Sequence, residues 1–136
     1  MPETIRILCV DDEINILNVI RRQLCDLAAE VPSVCSPEEG LRFLRQTQPV
    51  HVVVSDYRMP GTNGLEFLLS VSREWPEASR ILLTGFADTA AVQDALERGT
   101  ITFSLTKPWR SEELQKIITG VIVRNAAQPI TEVQQS

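Results

Sequence analysis

Five side chains in this sequence could do chemistry together: Asp11, Asp12, Asp56, Thr84 and Lys107. Each stands at the end of a strand-like run. Three carboxylates brought close would repel, and one would be driven to hold its proton unless a cation stood between them. A small set of hard oxygen ligands suits Mg²⁺, which keeps several waters and readily accepts a phosphate oxygen. Asp56, single and at the end of Val52-Val53-Val54-Ser55, is the best candidate for a nucleophile, because an Asp carboxylate can accept a phosphoryl group as an acyl phosphate. Such a transfer needs alignment and charge neutralisation above all. Lys107 would neutralise from the side opposite the metal, Thr84 would donate a hydrogen bond to a phosphoryl oxygen, and the main-chain carbonyl of Arg58 would complete the metal shell. Each residue also has a local reading: Asp and Thr open turns, acids favour helix N-termini, and most lysines are solvated. Those readings do not account for four strand ends carrying such groups in register.

Strands and helices in alternation would bring these ends together. Ile5–Val10 reads as a strand, followed by a helix of about four turns on Ile14, Leu17, Ile20 or Arg21, Leu24 and Leu27. Residues 31–35 read as a weak second strand. Ser36-Pro37-Glu38-Glu39 starts a helix that presents Leu41 and Leu44 and stops by Pro49. Residues 50–55 read as a strand buried on both faces. Asn63 with Glu66 caps a helix over 65–74 carrying Leu65, Leu68 and Leu69. A fourth strand covers 80–83 and ends at Thr84-Gly85. Asp88 is expected to cap a helix that runs to Arg98 and closes at Gly99. A fifth strand covers 101–106. A last helix starts at Ser111, with Leu114, Ile117, Ile118, Val121 and Ile122 on one face. The segment 125–136, polar and containing Pro129, reads as a linker or frayed tail, so the domain is expected over 1–124. Five strands alternating with five helices imply an α/β doubly wound parallel sheet of order 2-1-3-4-5, flavodoxin-like, with its switch point between the first and third strands. That order sets Asp11 and Asp12 beside Asp56.

Composition fits one soluble globular domain: 136 residues, 43% hydrophobic and 23% charged. A net charge of −5 excludes a broad basic surface, so direct nucleic-acid binding is not expected. Cys9, Cys25 and Cys35 lack CxxC spacing and read as buried reduced thiols, which implies a cytoplasmic location. No signal-like segment and no membrane-length apolar run stand out. His51 lies five residues before Asp56, ~16 Å along an extended strand, and reads as structural. Trp75 and Trp109 are expected to pack under loops, with a partner-binding surface near the active end as the alternative for Trp109.

Asp11-Asp12, Asp56 with Met59-Pro60-Gly61 and Gly64, Thr84-Gly85 and Lys107-Pro108 together resemble the receiver domain of two-component response regulators, over Ile5 to about Arg124. The Lys107-Pro108-Trp109 form is similar to a subgroup often joined to cyclic-di-GMP phosphodiesterase or other output domains. The resemblance implies a phosphoacceptor rather than an enzyme, one that assists its own phosphorylation and dephosphorylation. Asp56 would take the phosphoryl group from a histidine kinase or phosphotransfer protein. Asp11 and Asp12 would hold Mg²⁺, and Thr84 and Lys107 would sense the phosphoryl oxygens. It also implies a cis Lys107–Pro108 bond, movement of the fourth and fifth helices with the strand between them, a homodimer through that surface and a C-terminal output domain. The family often has Tyr or Phe three residues before the lysine. Here Ser104 holds that place and Phe103 precedes it, facing the other way unless a bulge intervenes.

Two other readings use the same residues. An aspartate-nucleophile phosphatase would need a second carboxylate two residues beyond Asp56, where Arg58 stands. A receiver-like docking module that no longer uses phosphate would be compatible with Ser104.

Overall fold

Alternation along the strands sorts the apolar residues of this chain into two layers. The computed structural model describes residues 4–85 and 89–135, with side chains as far as residue 123. One layer takes Ile7 and Cys9 from β1 (Ile5–Val10), Val52 and Val54 from β4 (Val52–Asp56), Ile81 and Leu83 from β5 (Ser79–Thr84), and Leu105 from β6 (Phe103–Thr106). Leu17 and Ile20 of α1 (Ile14–Gln23) cover it, with Leu114, Ile118 and Val121 of α5 (Ser111–Gln135). The other layer takes Leu8, Val10, Val53 and Leu82, packed against α2 (Pro37–Gln46), α3 (Gly64–Glu74) and α4 (Ala90–Arg98). Every residue of β4 is buried, as the unbroken apolar run implied.

The sheet is parallel, with the order β2-β1-β4-β5-β6 and β3 also pairing β1. This corrects the five-strand expectation. The second strand comprises two short pieces, β2 (Ala29–Glu30) and β3 (Ser33–Val34), instead of one run over 31–35. Pro32 lies between them and has no N–H to give a ladder, although its carbonyl still accepts from Cys9 at 2.9 Å. With both pieces beside β1, the reversal of strand order still falls at β1 and β4.

Several local expectations also shift. Helix α1 ends at Gln23, short of Leu27, and Ile14 in its first turn is 62% exposed. On α3 the buried face is Phe67, Leu68 and Val71, which leaves Leu65 and Leu69 at its margin. Its Asn63–Glu66 capping box forms on both sides, and Ser36 caps α2. Asp88 lies outside the described residues, and Thr89 caps α4 by accepting from the Val92 N–H. Gly99 closes α4 in the left-handed region, at φ 77°. Helix α5 continues through 125–135, the stretch expected as a linker or frayed tail. Cys9 is buried, with its thiol pushed up to about 12 by burial, whereas Cys25 and Cys35 are exposed. Among the described residues, no helix is long and apolar enough to cross a membrane.

Candidate functional site

The C-terminal ends of the strands are held in register by main-chain bonds that run past the last paired residues. Tyr57 donates to the Leu83 carbonyl at 2.9 Å, Lys107 to that of Thr84 at 2.8 Å, and Asp11 to that of Val34 at 3.2 Å. Side chains emerging there start from a fixed backbone. Gly64 tightens the edge further: its N–H donates to the Tyr57 carbonyl at 2.7 Å, and a Cβ at this position would collide with the Asp56 carbonyl. The glycine after the Met59-Pro60-Gly61 turn is therefore required by close approach of two backbones.

This frame brings the sequence-predicted residues together. Carboxylate oxygens of Asp11, Asp12 and Asp56 lie within 4.8 Å of one another. Asp11 and Asp56 are buried, at 1% and 4% exposure, while Asp12 is open to solvent. Lys107 forms an ion pair with Asp56 Oδ1, and its peptide bond to Pro108 is cis. Thr84 is buried and lines the same cleft of about 640 Å³ with Asp12, Asp56, Arg58, Gly85 and Lys107. Glu13, Tyr57 and Thr89 line it too, and the sequence reading had not placed them there. Thr89 is the one of these that carried a signal, since a Thr before an apolar-periodic run is a capping candidate.

Asp11 is the unsatisfied member of the set. Its Oδ1 accepts from the Glu13 N–H at 2.9 Å, but its buried Oδ2 has no hydrogen-bond partner. Burial raises the Asp11 pKa to about 6, and the neighbouring Asp56 and Asp12 charges add to the rise; the Glu13 N–H and Lys107 oppose it. A buried carboxylate oxygen without a donor, among two more carboxylates, fits a hard divalent cation. The acidic cluster could hold such an ion on Asp11, Asp12 and Asp56.

The position of Ser104 is resolved by register. Strands β5 and β6 pair without interruption from Ile81↔Phe103 to Thr84↔Thr106, so no bulge intervenes. Phe103 packs with the α1/α5 layer, and Ser104 lies opposite Leu82, on the face turned to α2, α3 and α4. His51 sits at the far edge, where its Nδ1 accepts from the Arg6 N–H at 3.0 Å.

Comparisons with known proteins agree with this geometry. The family model described as the response regulator receiver domain matches residues 7–119. The chain is 38% identical over 108 residues to the hydrogenase transcriptional regulatory protein HoxA of Cupriavidus necator, which covers 79% of this chain and 22% of that protein. A second HoxA, from Bradyrhizobium diazoefficiens, is covered to 26% of its length, so this chain spans about a quarter of these regulators. It is 32% identical over 124 residues to a probable chemotaxis protein CheY of Rhizobium etli, covering 89% of this chain and 95% of that one. A solved response regulator receiver domain from Clostridium thermocellum superposes with a TM-score of 0.82 at 31% identity, covering 91% and 98% of the two chains. With the sheet order, the acidic cluster and the Asp56–Lys107 pair all in place, the chain belongs to the response regulator receiver domains of two-component systems.

Proposed function

We propose that this domain accepts a phosphoryl group on Asp56 from the phosphohistidine of a histidine kinase or phosphotransfer protein, in a reaction that requires Mg²⁺. The observation that carries this reading is the buried Asp56 carboxylate, grouped with two further carboxylates and ion-paired to Lys107. Asp11, Asp12, Asp56 and the Arg58 carbonyl would hold the ion, which would supply positive charge against the phosphoryl oxygens. An Asp56 oxygen bonds to phosphorus as the P–N bond breaks, and the electron pair returns to the imidazole nitrogen, which takes up a proton. Lys107, already beside Oδ1, moves its ammonium onto a phosphoryl oxygen. Thr84 donates its hydroxyl to another. The rigid strand end holds the acceptor in place, so alignment rather than acid–base work lowers the barrier.

In this reading the domain is cytoplasmic and its catalytic contribution is limited to its own phosphorylation and dephosphorylation. Residues 1–124 form the receiver, and 125–136 connect to an output domain or partner. The surface of α4, β6 and α5 reports the phosphoryl state and serves as a homodimer contact. The test is incubation with Mg²⁺ and a small phosphodonor, followed by intact-mass measurement. One phosphoryl adduct is expected, absent with EDTA and absent in Asp56→Asn. An adduct that persists in Asp56→Asn would move the acceptor elsewhere.

A second reading is favoured by one observation, the small hydroxyl of Ser104 on the face where the family often carries an aromatic ring. A docking module that signals without phosphate would keep this fold and lose the switch. Adding a beryllofluoride mimic of the acyl phosphate discriminates: unchanged hydrogen exchange in α4, β6 and α5 would favour the docking module.

A further inference from the structure

The residue that faces Asp56, Lys107, stands on a short segment between β6 and α5, and something must fix that segment. Two residues beyond Lys107, Trp109 is half-buried against the α1/α5 layer. A half-buried indole N–H needs a partner, and this one donates to Gln23 Oε1 at 2.7 Å, across 86 residues of sequence. Gln23 is the last residue of α1, where helix carbonyls lack intrahelical donors. Its main-chain carbonyl accepts from Gln115 Nε2 at 2.7 Å. One glutamine is thus gripped twice, through its side chain by the lysine segment and through its backbone by α5. Helix α1 begins at Ile14, directly after Asp11, Asp12 and Glu13. The same helix therefore leaves the acidic cluster at one end and ties down the Lys107 segment at the other.

From this arrangement we infer that Gln23 is a positioning residue: by accepting from the Trp109 indole it sets where the Lys107 ammonium stands relative to Asp56. The bond exists only because Trp, and not a ring without an N–H, occupies position 109. A core role alone would make the Gln23–Trp109 contact a matter of stability. A positioning role makes it a matter of where one ammonium sits.

The chain has only two lysines, Lys107 and Lys116, and two tryptophans, Trp75 and Trp109. With ¹³C-labelled lysine, two Cε signals result, assigned through Lys116→Arg. In Gln23→Leu, which keeps the bulk and removes the acceptor, the Lys107 signal is expected to shift and lose its response to Asp56→Asn. In Gln23→Glu, which restores an acceptor, it returns. Trp109→Phe reproduces the Gln23→Leu shift, and thermal midpoints verify that all variants are folded. A Lys107 signal indifferent to Gln23→Leu in folded protein would overturn the inference, as would the same shift in Gln23→Leu and Gln23→Glu.

The rate readout rests on Asp56 being the phosphoacceptor; the lysine signal does not, so the two readings fail separately. At saturating Mg²⁺, Gln23→Leu should slow adduct formation about ten-fold, short of the ~100-fold that an ångström of misplacement can cost. The loss should vanish in a Lys107→Ala background. An equal loss with and without Lys107 would also overturn the role.

Discussion

The two ends of this sheet both bury charge and treat it in opposite ways. At the N-terminal edge, Arg80 is 9% exposed and donates to four main-chain carbonyls: Thr100 at 2.8 Å, Gly99 at 2.9 Å, Ala78 at 2.6 Å and Pro76 at 3.2 Å. Burial lowers its pKa from the ordinary value, yet its donors are met by the chain itself. That guanidinium ties the turn before β5 to the turn after α4. At the C-terminal edge, Asp11 is buried more deeply, retains an unpaired oxygen and lies among like charges. One end is finished as a structural clamp. The other keeps an unpaired carboxylate oxygen among like charges, and the contrast marks it as the end suited to a cation without reference to any relative.

The comparison breaks most visibly at Arg80. Arg80→Met removes the donors and leaves four carbonyls to water or to nothing, at an expected cost of about 3 kcal/mol. The urea midpoint should fall accordingly, while adduct formation on the folded fraction stays near wild type. A large loss of phosphorylation per folded molecule would show that the two ends are not independent.

Asp11→Asn should move stability the other way. The Asp11 pKa is raised to about 6 from an ordinary 3.8. Its charged form is therefore disfavoured by folding. Below about 3.8 the group costs nothing, the cost grows as pH rises through about 6, and above that it is fully present. In metal-free protein at pH 7.5, Asp11→Asn should gain about 1–2 kcal/mol. The Mg²⁺-induced rise in thermal midpoint should be large in wild type at pH 7.5, smaller at pH 5, and nearly lost in the variant. A variant less stable than wild type without metal would contradict the reading of Asp11 as unsatisfied.

The smallest effect belongs to His51, beside the clamp. His51→Ala deletes the acceptor for the Arg6 N–H and should cost about 1 kcal/mol by urea titration. Phosphorylation should not change, since the imidazole stands at the edge away from Asp56. A change in rate would place His51 in the chemistry after all.

How much of this was readable beforehand varied with the physics of each feature. The strand ends carrying Asp11, Asp56, Thr84 and Lys107 were legible because an apolar run followed by a polar residue is a local signal. The Asn63–Glu66 box and the Ser36 cap were legible for the same reason, since both close within four residues. The second strand was misjudged because β2 and β3 owe their existence to pairing with β1, and a two-residue strand has no periodicity to detect. Arg80 gave no sign of burial, because its carbonyl partners come from turns up to 20 residues away.

The sequence alone determined the alternation of strands and helices, the double burial of β4 and the identity of the groups at the strand ends. Those follow from side-chain type and period, which are properties of neighbours along the chain. Tertiary structure decided what distance along the chain conceals. It left Asp11 with an unpaired oxygen, kept the β5–β6 register free of a bulge that would have turned Ser104 and Phe103 to one face, and joined Gln23 to Trp109. Each depends on which atoms packing brings within a few ångströms, and no local pattern encodes that.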